Sequence, residues 1–273
     1  MESTLSKLKV VLNSVDSAMI ACSGGIDSLL LSTVACRIDT GRFLVAHATS
    51  PAVPFEATVR VSDIAVQESW RLHMVTSGEF ADPQYLANPV NRCFYCKSHL
   101  YAALRAIAGK LPIQSSLTLL SGANLDDLKE YRPGLEAAKE FGVRHPFIEA
   151  GMGKREIRAL ARELGLPFSE LPASPCLASR LYTGTEVTLE RLRAVEAGEG
   201  LIRARRGINI VRCRLRGSEI LIEVPLEDQT KVDSVLLDEV FSVATEKFPQ
   251  IDSVRLDPRP YKSGRTFLVQ QAN

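Results

Sequence analysis

One stretch constrains this chain more than any other. Ser23-Gly24-Gly25-Ile26-Asp27-Ser28 lies between the apolar run Ala18-Met19-Ile20-Ala21-Cys22 and Leu29-Leu30-Leu31. A buried strand that hands the chain to two glycines and then to an apolar helix makes a turn whose amides can approach phosphate oxygens, with the helix N-terminal partial charge behind them. Ser23 and Ser28 can donate hydroxyls to the same oxygens, and Asp27 can hold a magnesium ion that bridges phosphates. The plain alternative is a Gly-Gly that only tightens a strand-to-helix turn; the flanking serines and aspartate after a buried strand favour a nucleotide. The Walker pattern G-x-x-x-x-G-K-[ST] is absent, which disfavours a P-loop NTPase.

The segments around this turn set the fold class. Apolar positions at helical spacing over residues 3–16 predict an amphipathic helix, and Asp27 to Cys36 continues the loop as a second. Phe43–Ala48 reads as a buried strand, Glu56–Arg71 as a helix, Leu72–Thr76 as a third strand, Leu117–Ser121 as a stronger fourth and Val143–Ile148 as a weaker fifth. This alternation predicts an α/β fold with a doubly wound parallel sheet, whose ligands bind beyond the carboxyl ends of the strands. A helix over 153–165 ends at Leu166-Pro167. Three parts are expected: a nucleotide domain over 1–166, a Pro- and Ser-rich junction over 167–185 that carries Cys176, and a smaller α+β domain over 186–273 for substrate or oligomerisation.

Charge and cysteine usage exclude several classes. The net charge of +1 gives no global signal for nucleic acid, and no run of about 18 apolar residues marks a membrane span. The N-terminus lacks a signal-like apolar core, so a cytoplasmic protein is expected. Six cysteines in such a chain point to packing, metal ligation or reactive thiols rather than a disulfide framework.

The chemistry-bearing residues fall in four places. Gly122-Ala123-Asn124-Leu125-Asp126-Asp127 is a second polar turn after the fourth strand, where Asp126 and Asp127 can complete a magnesium shell and Gly122 can let adenosine approach the backbone; a helix cap with acidic residues on its dipole is the competing account. Cys93 and Cys96 stand just before an expected helix, at a spacing that suits a shared metal or cluster or, with Arg92 and Lys97 nearby, a redox dithiol; packing is the third possibility. Cys176 sits in Ser174-Pro175-Cys176-Leu177-Ala178-Ser179-Arg180, where positive charge would favour a thiolate. Cys22, Cys36 and Cys213 look structural. Arg212 and Arg214 flank Cys213 on one strand face, as an anion site or as a solvated face.

The glycine loop resembles that of the PP-loop ATP pyrophosphatases, which split ATP between its α- and β-phosphates. Together with Tyr131-Arg132-Pro133-Gly134-Leu135, Pro175-Cys176-Leu177-Ala178-Ser179-Arg180 and Ser263-Gly264-Arg265, it is similar to the LarE family over nearly the full chain. The resemblance implies an ATP-dependent sulfur transferase for the nickel-pincer nucleotide. It would adenylate a carboxylate of a pyridinium-dicarboxylate mononucleotide, then admit a sulfur nucleophile that displaces AMP. In one version the thiol at the position of Cys176 gives up its own sulfur. In another, three cysteines hold a [4Fe-4S] cluster, and Cys93, Cys96 and Cys176 together favour that version here. Arg180, Arg212, Arg214, Glu223 and Asp257 match family positions near the reactive cysteine and the substrate. A homo-oligomer is expected, and the sulfur donor is unspecified. Two rivals stay open. A PP-loop tRNA thiolase would use Arg191, Arg193, Arg203, Arg205 and Arg206 on nucleic acid, which the near-neutral charge disfavours, and a non-enzymatic scaffold would carry a cluster.

Overall fold

Burial of both sheet faces explains why the first strands read as unbroken apolar runs. The computed structural model describes residues 3–110, 117–129, 131–262 and 264–266. In chain order its elements begin with α1 (Thr4–Asn13), β1 (Ala18–Ala21), α2 (Ile26–Ile38), β2 (Phe43–Ala48), α3 (Phe55–Gln67) and β3 (Leu72–Val75). They continue with α4 (Pro83–Leu86), α5 (Arg92–Ala108), β4 (Thr118–Ser121), α6 (Pro133–Glu140), α7 (Pro146–Glu149) and α8 (Lys154–Glu163). The last are α9 (Leu189–Arg206), β5 (Arg212–Arg216), β6 (Glu219–Glu223), α10 (Ser234–Thr245) and β7 (Ser253–Leu256). The chain divides into two compact units, Met1–Ala81 with Cys93–Ser174, and Asp82–Arg92 with Pro175–Asn273.

The first unit is the expected α/β sheet. Its strands run in the order β3-β2-β1-β4, all parallel, with Ile20 opposite Val45 and Leu120. Along β1 the side chains alternate between two cores. Ala18 and Ile20 pack with residues of α1, α2, α3 and α8, whereas Met19 and Ala21 pack with Leu100, Tyr101 and Leu104 of α5 and Ala138 of α6. Helices therefore cover both faces, as parallel sheets require. The glycine loop follows the central strand β1, and the Gly122 turn follows its neighbour β4.

Two local expectations fail. Val143–Ile148 is not a strand: Arg144 makes a single parallel bridge to Leu120, and Pro146 then opens the short helix α7. Proline has no N–H for a ladder and its fixed φ suits a first helical position, so pairing stops there. Cys93 and Cys96 lie within the first turns of α5 rather than before it. Ser263 lies outside the described residues. Among the described residues no helix is long and apolar enough to cross a membrane.

The second unit holds a mixed sheet, β5 antiparallel to β6 and β6 parallel to β7, with α9 and α10 packed together. Gly198 permits the close seating of α9: a Cβ there would stand 3.0 Å from Cys213 Sγ and 3.2 Å from Val240 Cγ1. The segment Asp82–Arg92 is stitched into this unit. Asn88 Nδ2 donates to the carbonyls of Tyr182 and Thr185 at 2.9 and 2.8 Å, and Val187 N donates to Leu86 O at 2.8 Å.

A fully buried charge pair anchors α9. Arg180 donates from Nε and Nη2 to the two Glu199 oxygens at 2.8 and 2.9 Å. Burial pushes the Glu199 carboxyl up, but Arg180 in contact, with Arg212 and Arg203 nearby, holds it below the ordinary range. Removing one partner strands the other's charge, so Glu199→Ala is expected to cost about 3–5 kcal/mol of unfolding free energy. Urea unfolding followed by circular dichroism measures this, and an unchanged midpoint would show that water replaces the lost carboxylate.

Candidate functional site

The glycine loop is held open by hydroxyls and by two close backbone approaches. Ser28 Oγ accepts from Ser23 N at 3.0 Å and donates to the Gly25 carbonyl at 3.0 Å, closing the turn onto the first turn of α2. Gly24 has φ +79°, and a Cβ there would lie 2.9 Å from the Ala57 carbonyl; only glycine fits both conditions. Gly122, arriving from β4, would place a Cβ 2.9 Å from Ser28 N and 3.0 Å from Asp27 C. The two polar turns therefore close on each other backbone to backbone.

Around Asp27 the charges are arranged asymmetrically. Its Oδ2 accepts from Lys154 Nζ and, at 3.4 Å, from Asn124 Nδ2, while Oδ1 is buried with no hydrogen-bond partner among the described residues. Burial raises the Asp27 carboxyl above the usual range, against the pull of Lys154. Asp127 Oδ2 accepts from the amide and side chain of Asn124 at 3.1 and 3.0 Å, and its Oδ1 pairs with Arg132 at 3.1 Å. Asp126 is engaged differently: Oδ2 accepts from Lys154 N at 2.8 Å, Oδ1 from Lys129 Nζ at 2.9 Å. Of the loop carboxylates, Asp27 thus retains the open acceptor that a divalent cation needs.

In the second unit, arginines cinch the loop that carries Cys176. Arg180 Nη1 donates to the Pro175 and Cys176 carbonyls at 2.7 and 3.2 Å. Arg92 Nη1 donates to Ala178 O at 2.9 Å, and Arg214 Nη1 to Ser179 O at 2.9 Å. Arg214 Nε also pairs with Glu223 at 3.0 Å, and Arg265 bridges Glu223 and Asp257 at 2.9 and 3.4 Å. Arg259 contacts the Asp257 carboxylate and holds it below the ordinary range despite desolvation. Arg212 is buried and stacks over the Tyr261 ring, 5.3 Å to the centroid; burial and then the nearby Arg180 charge lower its affinity for the proton. Arg212 and Arg214 are 5% and 3% exposed, so neither lies on a solvated strand face. Arg180, Arg203, Arg212, Arg214, Arg259 and Arg265 outnumber Glu199, Glu223 and Asp257, which leaves the paired groups of this unit with an excess of positive charge.

The cysteines divide by environment. None of the six is in a disulfide, and Cys93, Cys96 and Cys176 are half-buried. Cys93 and Cys96 are one turn apart on α5, a spacing that puts them on one helix face. Cys22, Cys36 and Cys213 are buried; burial raises all three thiols, Cys36 to about 12. Among the described residues no three His, Cys, Asp or Glu side chains converge as a metal site.

Several residues here carry no sequence signal. Lys154 opens α8 far from the loop whose aspartate it pairs with. Arg60, on α3, donates to the Gly24 carbonyl at 2.9 Å and lines a groove of about 450 Å³ with Phe55, Val59, Phe168 and Leu171. Glu199, by contrast, interrupts the buried row Leu192, Val195 and Ile202 of α9, and a charge on that apolar face is the signal by which it could have been found. The basic helix itself is largely neutralised: Arg191 pairs with Glu186, Arg203 with Glu199, Arg205 with Glu239 and Arg206 with Asp233.

No protein-family model matches the chain. It is similar to an uncharacterised protein of Synechocystis sp., 38% identical over 269 residues that make up 97% of each chain. The pyridinium-3,5-bisthiocarboxylic acid mononucleotide synthase of Lactiplantibacillus plantarum is 31% identical over 220 residues, 80% of this chain and 78% of that one. An uncharacterised protein of Methanocaldococcus jannaschii is 29% identical over 215 residues, 77% of each chain.

A methyl group at Gly122 must push the α2 backbone, so Gly122→Ala is expected to lose about 1–3 kcal/mol, read as a lowered thermal midpoint. The thiol environments give a second expectation. A raised pKa keeps a thiol neutral and unreactive through pH 8, so iodoacetamide on the native protein should label Cys93, Cys96 and Cys176. Cys22, Cys36 and Cys213 should react only after unfolding, and peptide mass analysis reads the split.

Proposed function

Because the chain belongs to the LarE family of the pyridinium-3,5-bisthiocarboxylic acid mononucleotide synthase, we propose that it is an ATP-dependent sulfur-inserting synthase acting on a pyridinium-dicarboxylate mononucleotide. The observation that carries the ATP half is the loop itself, a strand–glycine turn–helix with Asp27 Oδ1 left open beside it. The substrate carboxylate oxygen would attack the α-phosphorus of ATP, the bond from that phosphorus to the α–β bridging oxygen would break, and pyrophosphate would leave with the bonding pair. Loop amides and the Ser23 hydroxyl would hold phosphate oxygens, with Ser28 bracing the turn, and Asp27 would hold a magnesium ion that offsets phosphate charge. A sulfur nucleophile then attacks the acyl carbon, and AMP leaves with the bonding pair to give the thiocarboxylate.

The arginine excess of the second unit suits the mononucleotide's phosphate and carboxylates, with Arg212 and Arg214 as the proposed anion contacts and Glu223 and Asp257 fixing neighbouring arginines. Arg180 holds the Cys176 loop through its carbonyls. Cys93, Cys96 and Cys176 are the residues that would hold a [4Fe-4S] cluster. Cys93 and Cys96, one turn apart on α5, would supply two of its thiolate ligands. When bound, such a cluster supplies a carrier for sulfide from an unidentified donor. A cytoplasmic homo-oligomer belongs to the same proposal. The carboxylate partners along α9 support a small-molecule substrate over a nucleic-acid backbone.

The test is anaerobic turnover of reconstituted protein with ATP and the dicarboxylate mononucleotide. AMP and pyrophosphate should appear only with that substrate, and product mass should show oxygen replaced by sulfur. Iron and sulfide should bind in proportion to protein, with loss of either on Cys93→Ala. Conversion of Cys176 to dehydroalanine during turnover, without iron, would replace the cluster version by the sacrificial one. Steep salt-dependent tRNA binding would move the protein to the thiolase class.

A further inference from the structure

Lys154 is placed where the loop lacks a cation. Its ammonium pairs with Asp27, 127 residues away in sequence. The side chain is 45% exposed while that of Asp27 is 19% exposed, so Lys154 reaches inward from the surface. Its backbone is fixed independently of that contact: Lys154 N donates to Asp126 Oδ2 at 2.8 Å, and Gly153 N to Glu156 Oε2 at 3.1 Å. A Cβ at Gly153 would stand 2.7 Å from Asp126 Oδ2, so the start of α8 is pressed directly against the Gly122 turn. Asp126 is consumed in holding α8, and its work is to aim Lys154.

The other charged side chains around the loop have partners of their own, and Arg60 donates to the Gly24 carbonyl at 2.9 Å. Asp127 pairs with Arg132, and Asp126 with Lys129. Arg158 spends its guanidinium on the Ser169 and Leu171 carbonyls at 3.1 and 2.9 Å. Lys154 is thus the ammonium whose partner is the same carboxylate that a divalent cation would take. The two cations cannot share Asp27 without mutual repulsion. Once a metal occupies the carboxylate, the nearest new anion for Nζ is the phosphate that the metal accompanies.

We propose that Lys154 is a placeholder cation: it holds the Asp27 carboxylate in the nucleotide-free protein, yields it to the divalent ion, and then contacts the β- or γ-phosphate. This rests on the loop being an ATP site. It supplies from α8 the ammonium that a Walker loop carries within itself.

The test reads metal binding apart from turnover. Free Mn2+ is titrated by electron paramagnetic resonance into nucleotide-free protein, and Mg·ATP affinity is measured by calorimetry, for wild type, Lys154→Gln, Lys154→Arg and Asp27→Asn. With its competitor gone, Lys154→Gln should bind Mn2+ about two- to fivefold more tightly, the range expected from an exposed ion pair. The same variant should bind Mg·ATP about tenfold or more weakly, as loss of a charged phosphate contact implies, and Lys154→Arg should recover most of that affinity. Asp27→Asn should lose Mn2+. Unchanged or weaker Mn2+ binding in Lys154→Gln overturns the placeholder role, and unchanged Mg·ATP affinity overturns the phosphate contact. Failure of the wild type to bind Mg·ATP, or Mn2+ retained by Asp27→Asn, overturns the loop assignment itself.

Discussion

The first unit depends on a contact with no side chain in it. Gly122 at the end of β4 meets the amide of Ser28 and the carbonyl carbon of Asp27 at a distance that excludes a methyl group. Parallel pairing of β1 with β4 brings the two turns to one edge, but the glycine lets them touch. From that contact follow the placing of Asn124 against Asp27 and Asp127, and of Asp126 against the start of α8. A Gly-Gly turn taken alone would only redirect the chain; braced by a second turn, its carboxylate and hydroxyls are held in place, as the proposed phosphate site requires.

The second unit solves a different problem, the storage of many guanidinium groups out of water. Glu199 and Glu223 each serve two arginines, and several carbonyls of the Cys176 loop absorb further donors. Such a network is expensive to dismantle piecemeal, since each deletion leaves a stranded charge. It also keeps a positive field over a surface whose proposed ligand is anionic, so the interactions that stabilise the unit are the ones that would recognise the substrate.

Much of this was legible in the chain. β1, β2 and β4 are buried on both faces and so show as plain apolar runs, and the loop stands out because glycine and serine interrupt such a run. The expected strand at Val143–Ile148 failed because apolar content is shared by strands and short buried helices, and Pro146 decided between them. Arg212 and Arg214 could not be assigned to a buried face, because burial of arginine depends on Glu223 and on carbonyls distant in sequence. Lys154 and Arg60 were invisible for the same reason, each acting on the loop through a contact distant in sequence that leaves no periodicity, whereas Glu199 shows only as an acidic residue in line with Leu192, Val195 and Ile202.

The strap Asp82–Arg92 bears on how the polypeptide matures as it is made. Its partners Tyr182, Thr185 and Val187 are synthesised about a hundred residues later, as the 94- and 97-residue separations of its Asn88 bonds record. During that interval the ribosome has released β4, α6 and α8, enough to complete the parallel sheet, while the strap waits without a home. Sheet assembly on the nascent chain can therefore precede closure of the second unit, and a message cut short after Ser174 would yield a sheet still trailing an orphaned loop. Neither unit can therefore be excised from the chain by a single cut.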